Sequence, residues 1–323
     1  VGGRTRAIMI DRADTTGSTI FAAGVTGGLW KTENITDQRP TWDNIGDFFS
    51  NINICALAQN PNNTDEMYFG TGEPHGGAGR GLGIWKSTNG GDSWTHLPTT
   101  ANSLFFYVVR LFVHPVTSDV YAATETGLYR SQDQGATWEK VLGQNVSGGF
   151  SNAMTDLEYA KDGTIYISMG HNGGSSTIFK SPAGATQGDI GSWSITSLTS
   201  SGFPSGRTRV ELAVAPSNEN IIYALTAQGG NATGIYKSSN KGANWNKVSD
   251  APPATGMGNF TRGQAWYDLD ITVDPTNPNI VIIGGIDLLR STNGGSTWEQ
   301  LSQWFGGGGL QYVHADQHYA IWD

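Results

Sequence analysis

Short runs of apolar and β-branched residues, each closed by a turn residue, recur along the whole chain, and no 3.6-residue period interrupts them. They fall into sets of four. The first run of each set is apolar and usually ends in an x-Pro turn; it occupies residues 5–11, 52–61, 108–115, 155–160, 209–216 and 269–275. A β-branched and aromatic run follows at 19–23, 66–70, 119–123, 164–169, 221–226 and 280–284. A third run carries an apolar pair and then Lys or Arg, as in Ile84-Trp85-Lys86, Leu128-Tyr129-Arg130 and Ile235-Tyr236-Lys237. The fourth starts at a recurring tryptophan. This pattern predicts four-stranded antiparallel units.

The tryptophans mark an internal repeat. Four octamers share Ser-x-[Asp/Asn]-x-Gly-x-x-Trp: Ser87 to Trp94, Ser131 to Trp138, Ser238 to Trp245 and Ser291 to Trp298. Degenerate copies end at Trp42 and Trp193, so the tryptophans recur every 44 to 55 residues. A period near 50 with four strands per unit predicts an all-β fold, a β-propeller of four-stranded blades. The blades are expected at about 1–49, 50–101, 102–146, 147–202, 203–256 and 257–305 of a single propeller domain, with a partial blade at 306–323. The partial blade reads as the first strand of a seventh, Tyr312 to Asp323. A lone inner strand cannot close a propeller, so the chain is expected to continue past Asp323 and to make seven or eight blades.

The octamers have a structural role first. Asn89, Asp133, Asn240 and Asn293 can hydrogen-bond the backbone of a tight hairpin. The glycine two residues on supplies a positive φ, and Trp94, Trp138, Trp245 and Trp298 cap the strand pair.

Composition agrees with many turns and a large core. Gly is 45 of 323 residues, about twice ordinary usage, and the charged fraction is 15%, below the ~25% of an average domain. Coiled coils and charged helical bundles are excluded. A net charge of −9 argues against nucleic acid as a partner, and no apolar stretch is long enough for membrane insertion. Cys55 is the single cysteine, so the chain has no internal disulfide.

The octamers resemble the Asp-box, or bacterial neuraminidase repeat (BNR). Phe69-Gly70-Thr71-Gly72-Glu73-Pro74, followed by Gly83 to Gly91, resembles the sortilin-like propeller superfamily, which includes the two-propeller xyloglucan-hydrolysing glycosidases. Gly24-Val25-Thr26-Gly27-Gly28-Leu29-Trp30-Lys31 and the Tyr312 to His318 segment look most like large secreted proteins of Bacteroidetes-type bacteria. That resemblance implies a secreted or cell-surface bacterial protein, with cargo of a type IX-like secretion system as an alternative reading.

The resemblance also tests catalysis. Sialidases carry an Arg-Ile-Pro element, absent here. The xyloglucan hydrolases place a catalytic acid in a Thr-Asp-Val-Gly-Gly run, and Val25 stands at that position. A glycosidase normally needs two carboxylates flanking the bond.

Three constellations remain as candidate sites. Arg209, Asp268 and Asp270 lie on inner strands beside the loop aromatics Trp266 and Tyr267, and could form a ligand funnel; the alternative is a satisfied ring of ion pairs including Asp156, Glu158 and Glu211. Other loop aromatics (Phe105, Phe106, Tyr107, Phe203, Phe260, Trp304 and Phe305) suit either sugar stacking or packing under loops. His314, Asp316 and His318 alternate on the expected seventh-blade strand, where they would share a face with metal-competent side chains. Steps of about 6–7 Å along one strand are too long to close on one ion without partners, Asp268 and Asp270 being nearest. No cofactor is expected. The preferred reading is a non-catalytic recognition module for an extracellular glycan or protein, with a polysaccharide-acting glycoside hydrolase as the alternative.

Overall fold

The computed structural model describes residues 4–74, 79–144, 153–170, 175–255, 258–306 and 309–322. It forms the six expected blades of an all-β propeller, each four-stranded and antiparallel with strands in sequence order, and a small two-stranded sheet of Pro253–Ala254 with Gly258–Asn259. Helical content among the described residues is confined to three single 3₁₀ turns. The chain divides into two compact units, one running to Met154 and the other spanning Thr155–Trp322.

The first unit holds three sheets. Sheet 1 is Arg4–Ile10, Ile20–Val25, Gly28–Thr32 and Asp43–Asn44; sheet 2 is Ile54–Gln59, Met67–Thr71, Ile84–Ser87 and Thr95–His96; sheet 3 is Val108–Val113, Val120–Thr124, Gly127–Ser131 and Glu139–Leu142. The second unit holds sheet 4 (Met154–Tyr159, Ile165–Met169, Thr177–Ser181, Ser194–Ile195), sheet 5 (Arg209–Val214, Ile222–Gln228, Asn231–Ser238, Asn246–Asp250) and sheet 6 (Asp270–Val273, Val281–Gly284, Leu288–Ser291, Glu299–Gln300). The second strands are buried almost throughout, which fits their continuous apolar runs rather than a clean alternation.

Each octamer forms the turn between third and fourth strands. In sheet 3, Gly135 N–H donates to Ser131 Oγ at 2.7 Å, Ser131 Oγ donates to Asp133 Oδ1 at 2.8 Å, and Thr137 N–H donates to Asp133 Oδ1 at 2.8 Å. Sheets 2, 5 and 6 repeat the set with Asn89, Asn240 and Asn293. The turn glycine is required twice over. Gly91 has φ +89°, and a Cβ there would lie 2.8 Å from the Phe21 ring of the preceding sheet. Trp94 and Trp298 donate Nε1–H to the glycine carbonyl of their own turn, at 3.0 Å each, whereas Trp245 donates across to Thr196 O of the preceding sheet. Trp298 also donates to Ser249 Oγ of sheet 5 at 3.0 Å, so Trp245 and Trp298 bind sheet to sheet.

Several loop aromatics prove to be core. Phe105 and Phe203 are buried, and each packs on the third-strand tyrosine and the octamer tryptophan of its sheet: Phe105 on Tyr129 and Trp138, Phe203 on Tyr236 and Trp245, with centroids 4.8–5.5 Å apart. Phe260 is fully buried in the second unit's core.

One expected element is absent. The partial seventh unit forms no strand over its described residues: the only ladder contact is an isolated bridge between Ser302 and Gln311, and Asp316 has φ +70°. A left-handed residue breaks the two-residue alternation, so His314, Asp316 and His318 do not share a strand face. The local reason is that the segment turns back onto sheet 6, where Gln317 N–H donates to Gly285 O at 2.7 Å. Residues 307–308 and 323 of this segment lie outside the described residues.

Candidate functional site

In every sheet, one end carries the octamer turn and the first hairpin. The other end carries the turn between second and third strands and the connection to the next sheet. The functional candidates of the second unit gather at this connection end.

Arg209 opens the first strand of sheet 5. It is buried and fully engaged: Nε donates to Glu211 Oε1 at 2.8 Å, and the two terminal nitrogens donate to the carbonyls of Leu269 and Ala265 at 3.1 and 3.4 Å. It therefore holds the connection between sheets 5 and 6 in place. Asp156 is similarly committed, accepting from Leu157 N at 2.9 Å and Leu212 N at 2.8 Å, and so ties sheet 4 to sheet 5. Asp268 and Asp270 are buried, as is Glu211. Of the expected ligand funnel, Trp266 alone is open to solvent, at 43% exposure; Tyr267 is buried with its ring 4.7 Å from His318, edge to face. His314 is exposed and its Nδ1 donates to the Ala315 carbonyl at 2.7 Å, while His318 is buried. Among the described residues, no group of three or more His, Cys, Asp or Glu side chains is arranged to hold a metal ion.

The connection end of sheet 6 assembles a different group. Asp287, in the turn between second and third strands, is fully buried. It accepts from Arg262 Nη2 at 3.2 Å and from the backbone N–H of Trp304 at 2.9 Å. The guanidinium carbon lies 5.6 Å from the Trp304 ring and 5.8 Å from the Phe305 ring, within cation–π range. The two rings meet edge to face at 5.6 Å and remain 39% and 52% exposed. A buried carboxylate thus fixes an arginine, and the arginine backs two solvent-facing aromatics. Trp304 and Phe305 are legible in the sequence as loop aromatics, but nothing local joins them to Arg262, because Asp287 sits in an unremarkable Gly-Gly-Ile-Asp turn.

A second carboxylate went unassigned in the first unit. Glu73, buried within Gly72-Glu73-Pro74, accepts from Arg4 Nη2 at 2.7 Å and from Arg6 Nη2 and Nε at 2.6 and 3.1 Å. Cys55 lies in the same environment, where burial pushes its thiol up to about 12. Val25, at the position where the resemblance places a catalytic acid, is fully buried.

No family model matches the chain. A xyloglucanase of Hypocrea jecorina is 30% identical over 225 residues, which cover 59% of this chain and 26% of that protein. The chain spans about a quarter to just over a third of the curated relatives it matches. Among solved structures, the extracellular domain of a one-component system from B. thetaiotaomicron aligns with a TM-score of 0.66 at 12% identity, over 98% of this chain and 36% of that one. YCF48 bound to a D1 peptide aligns at 0.59 and 18% identity, over 92% of this chain and 82% of that one. At these identities the structural likenesses establish the propeller fold alone.

Proposed function

We propose that the chain is a non-catalytic recognition module of a secreted or cell-surface protein, and that it binds an extracellular glycan through the Trp304–Phe305 platform. The carrying observation is the support beneath the platform. Two exposed rings held over an arginine, itself paired to a buried carboxylate, form a rigid apolar surface that loses little entropy when a sugar ring stacks on it. The likeness to xyloglucanases points to the same ligand class. Burial of Glu73, Glu211, Asp268 and Asp270, and Val25 in place of an acid, favour binding over hydrolysis. The octamers are read as Asp-boxes, with a structural role only. A protein ligand is the second reading, favoured by the peptide-bound neighbour on this fold.

Affinity gel electrophoresis in soluble xyloglucan, galactomannan and pectin, with reducing-sugar release measured in parallel, tests this. Retardation in at least one polysaccharide is expected, falling about 30-fold in affinity for Trp304→Ala as a central aromatic contact is lost. Migration unchanged in every polysaccharide refutes glycan binding. Release of reducing ends replaces the binding reading with the hydrolase.

A further inference from the structure

Most ordered arginines of the chain are consumed by acids. Arg4, Arg6, Arg130, Arg209, Arg262 and Arg290 each pair with a carboxylate. Arg80 departs from that pattern. It lies in the turn between the second and third strands of sheet 2, at the sheet's connection end, and is exposed. Its guanidinium carbon is 3.6 Å from the centroid of the Phe106 ring, a separation that only a flat stack allows. No hydrogen bond or ion pair takes the guanidinium among the described residues. Arg262 is also set against aromatic rings, but there Asp287 neutralises the charge.

The backbone around Arg80 is fixed by three hydrogen bonds. Glu73 N–H donates to Gly79 O at 3.2 Å, Asn51 Nδ2 to Arg80 O at 2.9 Å, and Gly81 N–H to Phe106 O at 2.9 Å. The last of these ties the turn to the connection that carries the ring. Gly81 is required there, because a Cβ would lie 2.4 Å from the Thr71 carbonyl carbon. Ring and backbone together hold the guanidinium with one face on Phe106 and its N–H edges open to a ligand. Exposed ion pairs are ordinarily weak because two mobile side chains must be ordered. Here the stack has already ordered one of them.

We infer that Arg80 is a binding site for the carboxylate of an acidic sugar residue. Two parallel N–H···O bonds join the planar fork to the two carboxylate oxygens. The inference rests on the reading that the ligand is a glycan. It goes beyond that reading by placing a charged sugar on sheet 2, whereas the aromatic platform of sheet 6 takes an uncharged sugar face.

The probe is tetragalacturonate, compared with its fully methyl-esterified form, which keeps the sugar rings and removes the charge. Isothermal titration calorimetry on the intact chain is run in about 0.15 M salt, where long-range repulsion from the net charge of −9 is screened. Saturable tetragalacturonate binding is expected, at least about 5-fold tighter than the ester. Arg80→Gln should remove that preference. Arg80→Lys keeps the charge without the fork and should restore only part of it. Phe106→Leu, which removes the ring and leaves Arg80, should weaken tetragalacturonate about 3-fold. Arg80→Gln alters an exposed side chain and should move the melting temperature by no more than about 2 °C, so loss of the site is distinct from loss of the fold. Absence of saturable tetragalacturonate binding overturns the proposal. So does equal affinity for the ester, a preference that survives Arg80→Gln, or tighter binding of tetraglutamate, which assigns the fork to a peptide. Xyloglucan binding is measured alongside. Its presence without tetragalacturonate binding sinks this proposal alone, and the reverse sinks the platform alone.

Discussion

Replacing Asp287 tests whether the aromatic platform depends on the charge beneath it. Asp287 is fully buried and Arg262 has 8% of its side chain exposed, so solvent screens their ion pair little. Asp287→Ala removes the carboxylate opposite the guanidinium and the acceptor of the Trp304 amide. Breaking a buried pair by deleting one partner costs about 3–5 kcal/mol, and an orphaned amide about 1–3 kcal/mol. The two losses share one carboxylate and do not add, so about 4 kcal/mol is expected. Asp287→Asn keeps an oxygen for the Trp304 amide and loses only the charge, so it should recover about 1 kcal/mol or more. Urea unfolding followed by tryptophan fluorescence reads both shifts, with an unchanged slope required for the comparison. The decisive measurement is a cycle with Arg262→Met. If Asp287 acts through Arg262, the double variant is less destabilised than the sum of the singles by at least about 1 kcal/mol. Additivity within about 0.5 kcal/mol would refute the coupling and the view that the arginine is held in place for the rings above it.

Three other outcomes are expected. Phe105→Ala should cost about 3–5 kcal/mol in the same assay, because it empties the space between Tyr129 and Trp138. Cys55, buried and with its thiol raised to about 12, should resist a disulfide reagent at pH 8 in native protein and react promptly in urea; prompt native reaction would contradict its burial. Hydrogen bonds from Thr137 and Thr276 hold Asp133 and Asp274 below the ordinary carboxylate value. A lowered folded-state value stabilises above about pH 3.8, and the contribution is lost as pH falls through the lowered value. The urea midpoint should therefore drop on acidification below pH 4, and less steeply in Asp133→Asn.

The repeat was legible because its signals are local. The octamer's serine, Asx residue, glycine and tryptophan meet within eight residues of one another, so their spacing carries the turn geometry directly. The first three strands of every blade could be placed for the same reason. The 312–323 segment misled: its alternation of His314, Asp316 and His318 has a strand's period, but a period does not supply a partner strand. As an inner-strand arginine, Arg209 suits either a ligand funnel or a satisfied ring of ion pairs, and its own sequence neighbourhood does not choose between them. Its partners, Glu211 and the carbonyls of Ala265 and Leu269, include groups more than 50 residues away.

The chain order of turn and strand residues was enough to specify an all-β propeller built from six similar units. Backbone geometry and hairpin register depend on near neighbours, and these recur with the repeat. Which aromatics face solvent and which arginines are consumed by carbonyls were settled only by packing. Those properties depend on what the adjoining sheet places opposite each side chain. Phe105 and Phe305 both sit in inter-blade connections, yet one is buried on a tyrosine and a tryptophan and the other lies open above an arginine. Burial is a property of the pair of surfaces that meet, and the second surface lies elsewhere in the chain.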